Sequence, residues 1–372
     1  MQTTLKIITI VGARPQFIKA AAVSRAIAGH NRQHRLPLVT ERIIHTGQHY
    51  DDEMSGIFFR DLGIPEPVNN LGIGSGTHGW QTGQMLIALE EVLFKEKPDW
   101  VLVYGDTNST LAGALAAAKL NHRLAHVEAG LRSHDRTMPE EINRITTDHL
   151  SHLLFCPSQD AVDNLANEGI RNGVVMAGDV MADALDHATA ETTAKPDILS
   201  RLSLSPQGYF LATVHRAANT DNPDNLKDIM TAFSALSETV VLPVHPRTRA
   251  ILEKLHLQVP DNVLLTPPVR YLESVALMQS ARMLLTDSGG MQKEAYWLQT
   301  PCVTLRDETE WVETVAHGWN TLCGTNPTRI VETVRGFKTP TTHPPLYGEG
   351  RAAEHCLNAL LATVRMNSNK DF

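Results

Sequence analysis

The chain is 372 residues long, with 42% hydrophobic residues, 20% charged residues and a formal net charge of −8. That composition is ordinary for a globular protein and excludes wholesale disorder, and at roughly 150 residues per domain the length predicts about two domains with a large core. The acidic balance excludes a protein that wraps nucleic acid, so an anionic ligand would have to be met by local positive charge.

The chain opens on Met-Gln-Thr-Thr-Leu-Lys-Ile-Ile-Thr-Ile-Val, whose apolar run is too short for a signal peptide or a membrane span. A cytoplasmic protein with no membrane partner is the expectation. Short apolar runs then follow at Ile7–Val11, Ile43–Thr46, Trp100–Tyr104, Leu124–Val127, Leu153–Cys156 and Val174–Met176. Gln16–Gly29, Thr82–Lys95 and Ser109–Lys119 read as helices between them. Apolar runs without alternation, separated by helices, predict strands buried on both faces of a parallel sheet.

The second half repeats this pattern. Strands are predicted at Tyr209–Val214, Val240–Val244, Val263–Thr266, Met283–Thr286, Cys302–Leu305 and Thr321–Cys323. Helices are predicted at Asn225–Ser237, Tyr271–Gln279, Gly290–Leu298 and, last, Ala352–Val364. The polar stretch Thr189–Ser205 separates the halves. The expected fold is therefore α/β, with two Rossmann-like doubly wound domains, 1–180 and 181–350, the C-terminal helix 352–366 joining the first. Ligands in such folds sit beyond the carboxyl ends of the strands, here expected in a cleft that the domains face. Cys156, Cys302, Cys323 and Cys356 form no C-x-x-C pair, so no metal site is expected, and Cys156 and Cys302, in apolar runs, read as buried reduced thiols.

Chemistry-bearing residues gather at predicted strand exits. Leu285-Thr-Asp287-Ser288-Gly289-Gly290-Met-Gln-Lys-Glu294 runs from a buried strand into a helix. Its glycines let backbone approach a ligand, and the helix N-terminus offers free N–H groups to an anion. An ordinary capped turn has much the same sequence. At Val11-Gly12-Ala13-Arg14-Pro15-Gln16-Phe-Ile-Lys19 two cations follow the first strand and suit a diphosphate; solvated loop charge is the plainer reading.

Asp106 in Tyr104-Gly-Asp106-Thr and Glu128 in His126-Val-Glu128-Ala-Gly-Leu-Arg132 end apolar strands, where a carboxylate needs a reason. Glu140 and Glu141 open a helix, a position acids favour in any case. His215-Arg216 and His245-Pro-Arg247 each place a histidine and an arginine past a strand. Carboxylates converging on one site shift one another's pKa values, as acid–base work requires.

Two patterns are set aside. Gly74-Ser-Gly-Thr-His-Gly79 matches G-x-G-x-x-G, but Val68-Asn-Asn-Leu before it is not a convincing strand, so NAD binding is not expected there. His45 and His49 are interrupted by Gly47 and read as a ligand-facing or hinge loop rather than a metal pair.

Taken together, Gly12-Ala-Arg-Pro, Gly105-Asp-Thr, His126-Val-Glu-Ala-Gly-Leu-Arg, Pro139-Glu-Glu-Ile-Asn-Arg, Val214-His-Arg, Pro243-Val-His-Pro and Thr286-Asp-Ser-Gly-Gly resemble, over essentially the full length, the non-hydrolysing UDP-N-acetylglucosamine 2-epimerases. The resemblance implies the two-domain GT-B arrangement, a homodimer, a UDP-sugar substrate, no cofactor, and a role in surface polysaccharide or lipopolysaccharide precursor synthesis. It implies inversion at C2 by elimination of UDP, a 2-acetamidoglycal intermediate, and re-addition. Asp106, Glu128, Glu140 and His215 correspond to the catalytic positions. Arg14, Lys19, Arg144, His245, Ser288, Gly289, Gly290 and Glu294 correspond to UDP- or substrate-binding positions.

The chain departs from the family pattern at Gln16, where Glu is usual, and at Trp311 in Thr309-Glu-Trp-Val-Glu313, where Arg is usual. The loop from His45 to Met54 also differs from the version associated with allosteric activation. Gln16 and Trp311 resemble the branch acting on UDP-2,3-diacetamido-2,3-dideoxyglucuronate, and loss of an acid near a uronate makes electrostatic sense. The rival readings are a GT-B glycosyltransferase, a hydrolysing epimerase and a non-catalytic nucleotide-sugar sensor. None of these needs four acid–base residues around one sugar carbon with the sugar kept on UDP.

Overall fold

The computed structural model describes residues 4–48, 63–194, 198–244, 246–255, 257–348 and 350–368. His49, His245 and the rest of the loop to Met54 fall outside them. The chain divides into two compact units, Met1–Asp186 with Pro345–Phe372, and His187–Pro344. The helix Val180–Ala194 runs across the first boundary.

The first unit holds seven strands: β1 Thr4–Val11, β2 Leu38–His45, β3 Asn69–Asn70, β4 Trp100–Tyr104, β5 Leu124–Val127, β6 Leu153–Cys156 and β7 Val174–Met176. They form one sheet in the order β3-β2-β1-β4-β5-β6-β7, every pair parallel. All five residues of β4 and all four of β5 are buried, as an apolar run with helices on both faces must be. One face packs Ile8, Ile10, Val101 and Val103 against Met85, Leu89 and Leu93 of the helix His78–Glu96 and the alanines of Asn108–Lys119. The other face is covered by Arg14–Arg32, on which the C-terminal helix Ala352–Ser368 packs. Asp183 caps that last helix, accepting from the N–H groups of Ala352 and Ala353 at 3.1 and 2.8 Å.

The second unit holds β8 Tyr209–Thr213, β9 Thr239–Pro243, β10 Val263–Thr266, β11 Met283–Thr286, β12 Cys302–Thr304 and β13 Asn320–Leu322. Their order is β10-β9-β8-β11-β12-β13, again all parallel. Phe210, Ala212, Val240, Leu242 and Leu285 meet Leu226, Ile229, Met230 and Phe233 of the helix Pro223–Ser234 on one face. Tyr209, Leu211, Val241 and Leu284 meet Leu277 and Met278 of Tyr271–Ser280 on the other.

Both sheets thus step outward from a first strand, return to it and step outward the other way. The reversal falls between β1 and β4 and between β8 and β11. Helices leave opposite faces of the sheet at that point, which opens a crevice at the carboxyl ends.

One local expectation changes. Val68-Asn-Asn-Leu does contribute a strand, the two-residue β3 at the sheet edge, paired to Ile44 and His45. Backbone pairing alone makes it, so no apolar pattern announces it. The glycines that follow lead directly into the helix His78–Glu96, and Gln81 Nε2 donates to the Gly74 carbonyl at 2.9 Å. Among the described residues no helix is long and apolar enough to cross a membrane.

Candidate active site

The exits of β1, β4 and β5 bring four expected residues, Arg14, Lys19, Asp106 and Glu128, to one end of the first sheet. Gly12 follows β1 directly and sits against β2 and β4: a Cβ there would lie 2.1 Å from Ser109 Oγ and 2.2 Å from Thr46 Oγ1. Only a glycine lets the β1 exit run this close to its neighbours. Arg14 starts the following helix and is partly buried, and Lys19, one turn on, is 7% exposed.

Lys19 Nζ is ion-paired with Glu128 Oε2. Burial alone would pull the Lys19 pKa down, but the nearby carboxylates of Glu128, Asp179 and Asp106 outweigh it and hold the ammonium above its usual value. This lysine is a fixed cation, suited to a departing diphosphate and unsuited to taking a proton.

Glu128 adopts a left-handed backbone, φ 71°, at the end of β5, its N–H bonded to the Phe155 carbonyl at 3.1 Å. Strain of this kind in a non-glycine residue persists only when the surroundings impose it. Gly105, φ 62°, lies beneath the pair: a Cβ there would be 3.3 Å from Glu128 Oε2 and 3.5 Å from Lys19 Nζ.

Asp106 follows Gly105 and is ion-paired with Arg144, from the helix Pro139–Leu150. Asn143 of the same helix donates to the Asp106 carbonyl at 2.9 Å. The two acids that open this helix differ sharply. Glu140 is exposed. Glu141 is buried and accepts from the N–H groups of Ser133 and His134 at 2.9 and 3.0 Å, and from Arg144 at 3.2 Å. Burial works to raise its pKa, but those donors hold it below the usual carboxylate range. Glu141 ties down a loop, which leaves Glu140 as the acid of that helix turn that faces solvent.

Gln16 does not face solvent. It is 1% exposed, its Oε1 accepting from the N–H groups of Gly12 and Ala13 at 2.8 and 3.0 Å and its Nε2 donating to the Tyr104 carbonyl at 2.8 Å. It braces the β1 exit loop against β4. A carboxylate at this place would set an acceptor against that carbonyl.

In the second unit the β8 and β11 exits meet. Asp287, fully buried, accepts from the backbone N–H groups of His215 and Arg216, each at 3.0 Å, and from Asn219 Nδ2 at 3.1 Å. His215 Nδ1 lies 3.2 Å from Asp287 Oδ1, with the side chain 54% exposed. Burial tends to raise the Asp287 pKa, but these donors, His215 first, hold it low. Ser288 caps the helix Gly289–Trp297 and accepts from the Met291 N–H at 3.5 Å. A Cβ on Gly289 would face Glu310, Trp311 and Arg216 at 3.3, 3.6 and 3.8 Å, whereas one on Gly290 would meet nothing within 4 Å. Glu294 is buried one turn into the helix. Trp311 lies over Lys293, whose Nζ is 4.0 Å from its ring centroid.

Sequence reasoning missed two partners. Asp179 stands after β7 in Gly178-Asp179, with Gly178 at φ 88°, the same Gly-Asp exit pattern as Gly105-Asp106, and its charge bears on Lys19. Asp287 was read only as part of a turn, yet it is what orients His215. Among the described residues no group of three His, Cys, Asp or Glu side chains could hold a metal ion.

Two doubly wound sheets, one with acid–cation pairs at its strand exits and the other with a glycine turn at a helix N-terminus, make an α/β enzyme for a substrate carrying an anionic group. The family described as UDP-N-acetylglucosamine 2-epimerase matches residues 31–361. The chain is 55% identical over 362 residues to a UDP-N-acetylglucosamine 2-epimerase homolog of Methanococcus maripaludis, covering 96% of this chain and 99% of that one. It is 50% identical over 357 residues to the UDP-2,3-diacetamido-2,3-dideoxy-D-glucuronate 2-epimerase of Pseudomonas aeruginosa, covering 94% and 97%. The solved UDP-GlcNAc 2-epimerase of Methanocaldococcus jannaschii, in complex with UDP-GlcNAc and UDP, superposes with a TM-score of 0.85 at 41% identity, covering 96% and 100%. The chain belongs to the UDP-N-acetylglucosamine 2-epimerase family and is an epimerase.

Proposed function

We propose that this enzyme inverts C2 of UDP-2,3-diacetamido-2,3-dideoxyglucuronate without releasing the sugar from UDP. One observation carries the choice of substrate: 50% identity over nearly the whole chain to an enzyme of that name, against 43% to the UDP-N-acetylglucosamine 2-epimerase of Methanocaldococcus jannaschii, the 55% identical relative being named only as a homolog. The second reading, UDP-GlcNAc to UDP-ManNAc, is supported by the likeness to that solved structure and needs the same chemistry.

The reaction breaks the bond between C1 and the UDP oxygen while a base removes the C2 proton, leaving a C1–C2 double bond. UDP oxygen then re-forms the bond to C1 as a proton is delivered to the opposite face of C2. The C2 proton is not α to a carbonyl, so departure of the diphosphate must lead, and stabilising it is the larger catalytic contribution. Lys19 and Arg14 are assigned to that charge, with Arg144, the Ser288–Gly290 turn and Glu294 as further UDP contacts. Asp106, Glu128, Glu140 and His215 are assigned to acid–base work. The Lys19–Glu128 and Asp106–Arg144 pairs support this, because a carboxylate beside a cation that the departing diphosphate recruits gains proton affinity as the reaction proceeds.

Incubation with each UDP-sugar in D2O, followed by NMR of the C2 position, tests the proposal. Deuterium at C2 and two epimers still attached to UDP are expected, with higher kcat/KM for the diacetamido uronate. Absence of C2 exchange with every UDP-acetamido sugar would sink it, and a higher kcat/KM for UDP-GlcNAc would reassign the substrate.

We further propose a cytoplasmic homodimer that supplies a surface polysaccharide precursor. Trp80, Ile87 and Phe94 lie exposed at seven-residue intervals on the face of the helix His78–Glu96 opposite its buried Gln81, Met85, Leu89 and Leu93. Such a stripe supports pairing with a second copy. Ile87→Glu with Phe94→Glu is expected to halve the mass seen by light scattering, and an unchanged mass counts against this surface.

A further inference from the structure

His126 lies on β5, two residues before Glu128, and is wholly buried. Its Nδ1 is 2.7 Å from Asp148 Oδ1 and its Nε2 is 2.7 Å from the Gly105 carbonyl oxygen. Both partners are acceptors, and each ring nitrogen is placed to donate to one of them. Asp148 is the charged partner. Its other oxygen accepts from the Gly130 N–H at 3.1 Å and from Arg132 at 2.7 Å. Arg132 is held in turn by Glu168 through two bonds, at 2.6 and 2.9 Å. The alternation Glu168, Arg132, Asp148, His126 ends on one backbone carbonyl.

Buried ion pairs are a weak source of stability, and an apolar side chain would fill the same space at less cost. The place where the chain of charges ends suggests what it does. The carbonyl of Gly105 and the N–H of Asp106 belong to one planar peptide unit, so gripping the first orients the second. That peptide presents Asp106 to Arg144 and forms the floor under the Lys19–Glu128 pair. Glu128 itself leaves the strand that carries His126. The two carboxylates change charge during turnover, and each change pulls on the turn between them.

We infer that His126 is a positioning residue of the epimerisation: by donating from Nε2 to the Gly105 carbonyl it keeps Asp106 and Glu128 in fixed relation through elimination and re-addition. The inference rests on the assignment of those two carboxylates to acid–base work.

Two conservative variants separate the arms of the ring. The amide of His126→Asn reaches the place of Nδ1, keeping Asp148 and losing Gly105. The amide of His126→Gln reaches the place of Nε2, keeping Gly105 and losing Asp148. Both lose one buried hydrogen bond and are expected to melt at similar temperatures. Steady-state turnover in the D2O assay, well below both melting points, is then compared. His126→Asn is expected to lose about 100-fold in kcat, the scale of a misplacement of about 1 Å, with KM changed less than about 3-fold. His126→Gln is expected to stay within about 10-fold of the parent in kcat, since the clamp on Gly105 survives.

Near-parental kcat in His126→Asn, or an equal loss in both variants, would overturn the inference. If His126→Asn does not fold, His126→Gln decides alone, and a folded His126→Gln without turnover overturns it. Asp106→Asn and Glu128→Gln run alongside. Turnover retained in both removes the acid–base assignment and this inference with it. Their collapse beside an unimpaired His126→Asn removes this inference alone.

Discussion

At the exits of β1, β4 and β5 the charges are buried or partly buried and each has a partner: Lys19 pairs with Glu128, Asp106 with Arg144, and Asp148 is bonded to His126. At the exits of β8 and β11 the wholly buried charge among the described residues is Asp287, and it holds the loop from below while His215 and Arg216 remain half exposed. The same strand order therefore supports two kinds of site. The first unit invests in preset charge, which acts on a reacting centre without waiting for water to reorganise. The second offers backbone N–H groups and open space beside a helix N-terminus, which accommodates an anion with little loss if a side chain nearby is altered.

The largest expected effect breaks the first kind of site. Glu128→Gln should lower kcat by about 10³-fold, within the range for a positioned acid or base. Melting should show a folded protein, because Asp179 and Asp106 still compensate Lys19. Turnover near that of the parent would strike Glu128 from the acid–base residues and erase the contrast between the units.

Asp287→Asn probes the second kind. It should cost about 2 kcal/mol near neutral pH, through donors left poorly matched around a buried group. The native Asp287 pKa is depressed, so the stability its charge confers is present above the ordinary aspartate value of about 3.9 and is lost as pH falls through the lower native value. The gap in urea midpoint between parent and variant should therefore narrow on acidification. A gap independent of pH would mean that the carboxylate is not what holds the β8 exit.

The smallest pair of effects compares glycines. Gly12→Ala should destabilise by about 1–3 kcal/mol, since its methyl has no room beside Ser109 and Thr46. Gly290→Ala should leave the melting temperature unchanged or slightly raised, as alanine suits a helix and meets open space. It should raise KM for the UDP-sugar, if the diphosphate lies against that turn. Thermal melts and steady-state kinetics on both variants check this. Equal destabilisation would show that the two turns are built alike.

Much of this was legible beforehand, for reasons specific to each element. Trp100–Tyr104, Leu124–Val127 and Met283–Thr286 are apolar without alternation and have the predicted bounds. The first part of β2 was not read as strand because Thr40, Glu41 and Arg42 interrupt the apolar pattern where the strand is only partly covered. The exits that carry Lys19, Asp106, Glu128, His215 and Ser288 could be read because each follows a strand. What Gln16, Glu141, His126 and Asp287 do could not. Each has at least one partner between 8 and 88 residues away, in a hydrogen bond that no local pattern records. Asp179 was within reach, because its Gly-Asp pattern repeats that of Asp106.

The second unit is a continuous stretch of chain, whereas the first is interrupted and completed only by the helix Ala352–Ser368, capped by Asp183 and packed on Arg14–Arg32. During synthesis, the half that carries Lys19, Asp106 and Glu128 must wait with one helix face uncovered while the other half emerges and folds. A chain cut after Pro344 would therefore hold a finished second unit and an unfinished first one, and it is the first that would call on a chaperone.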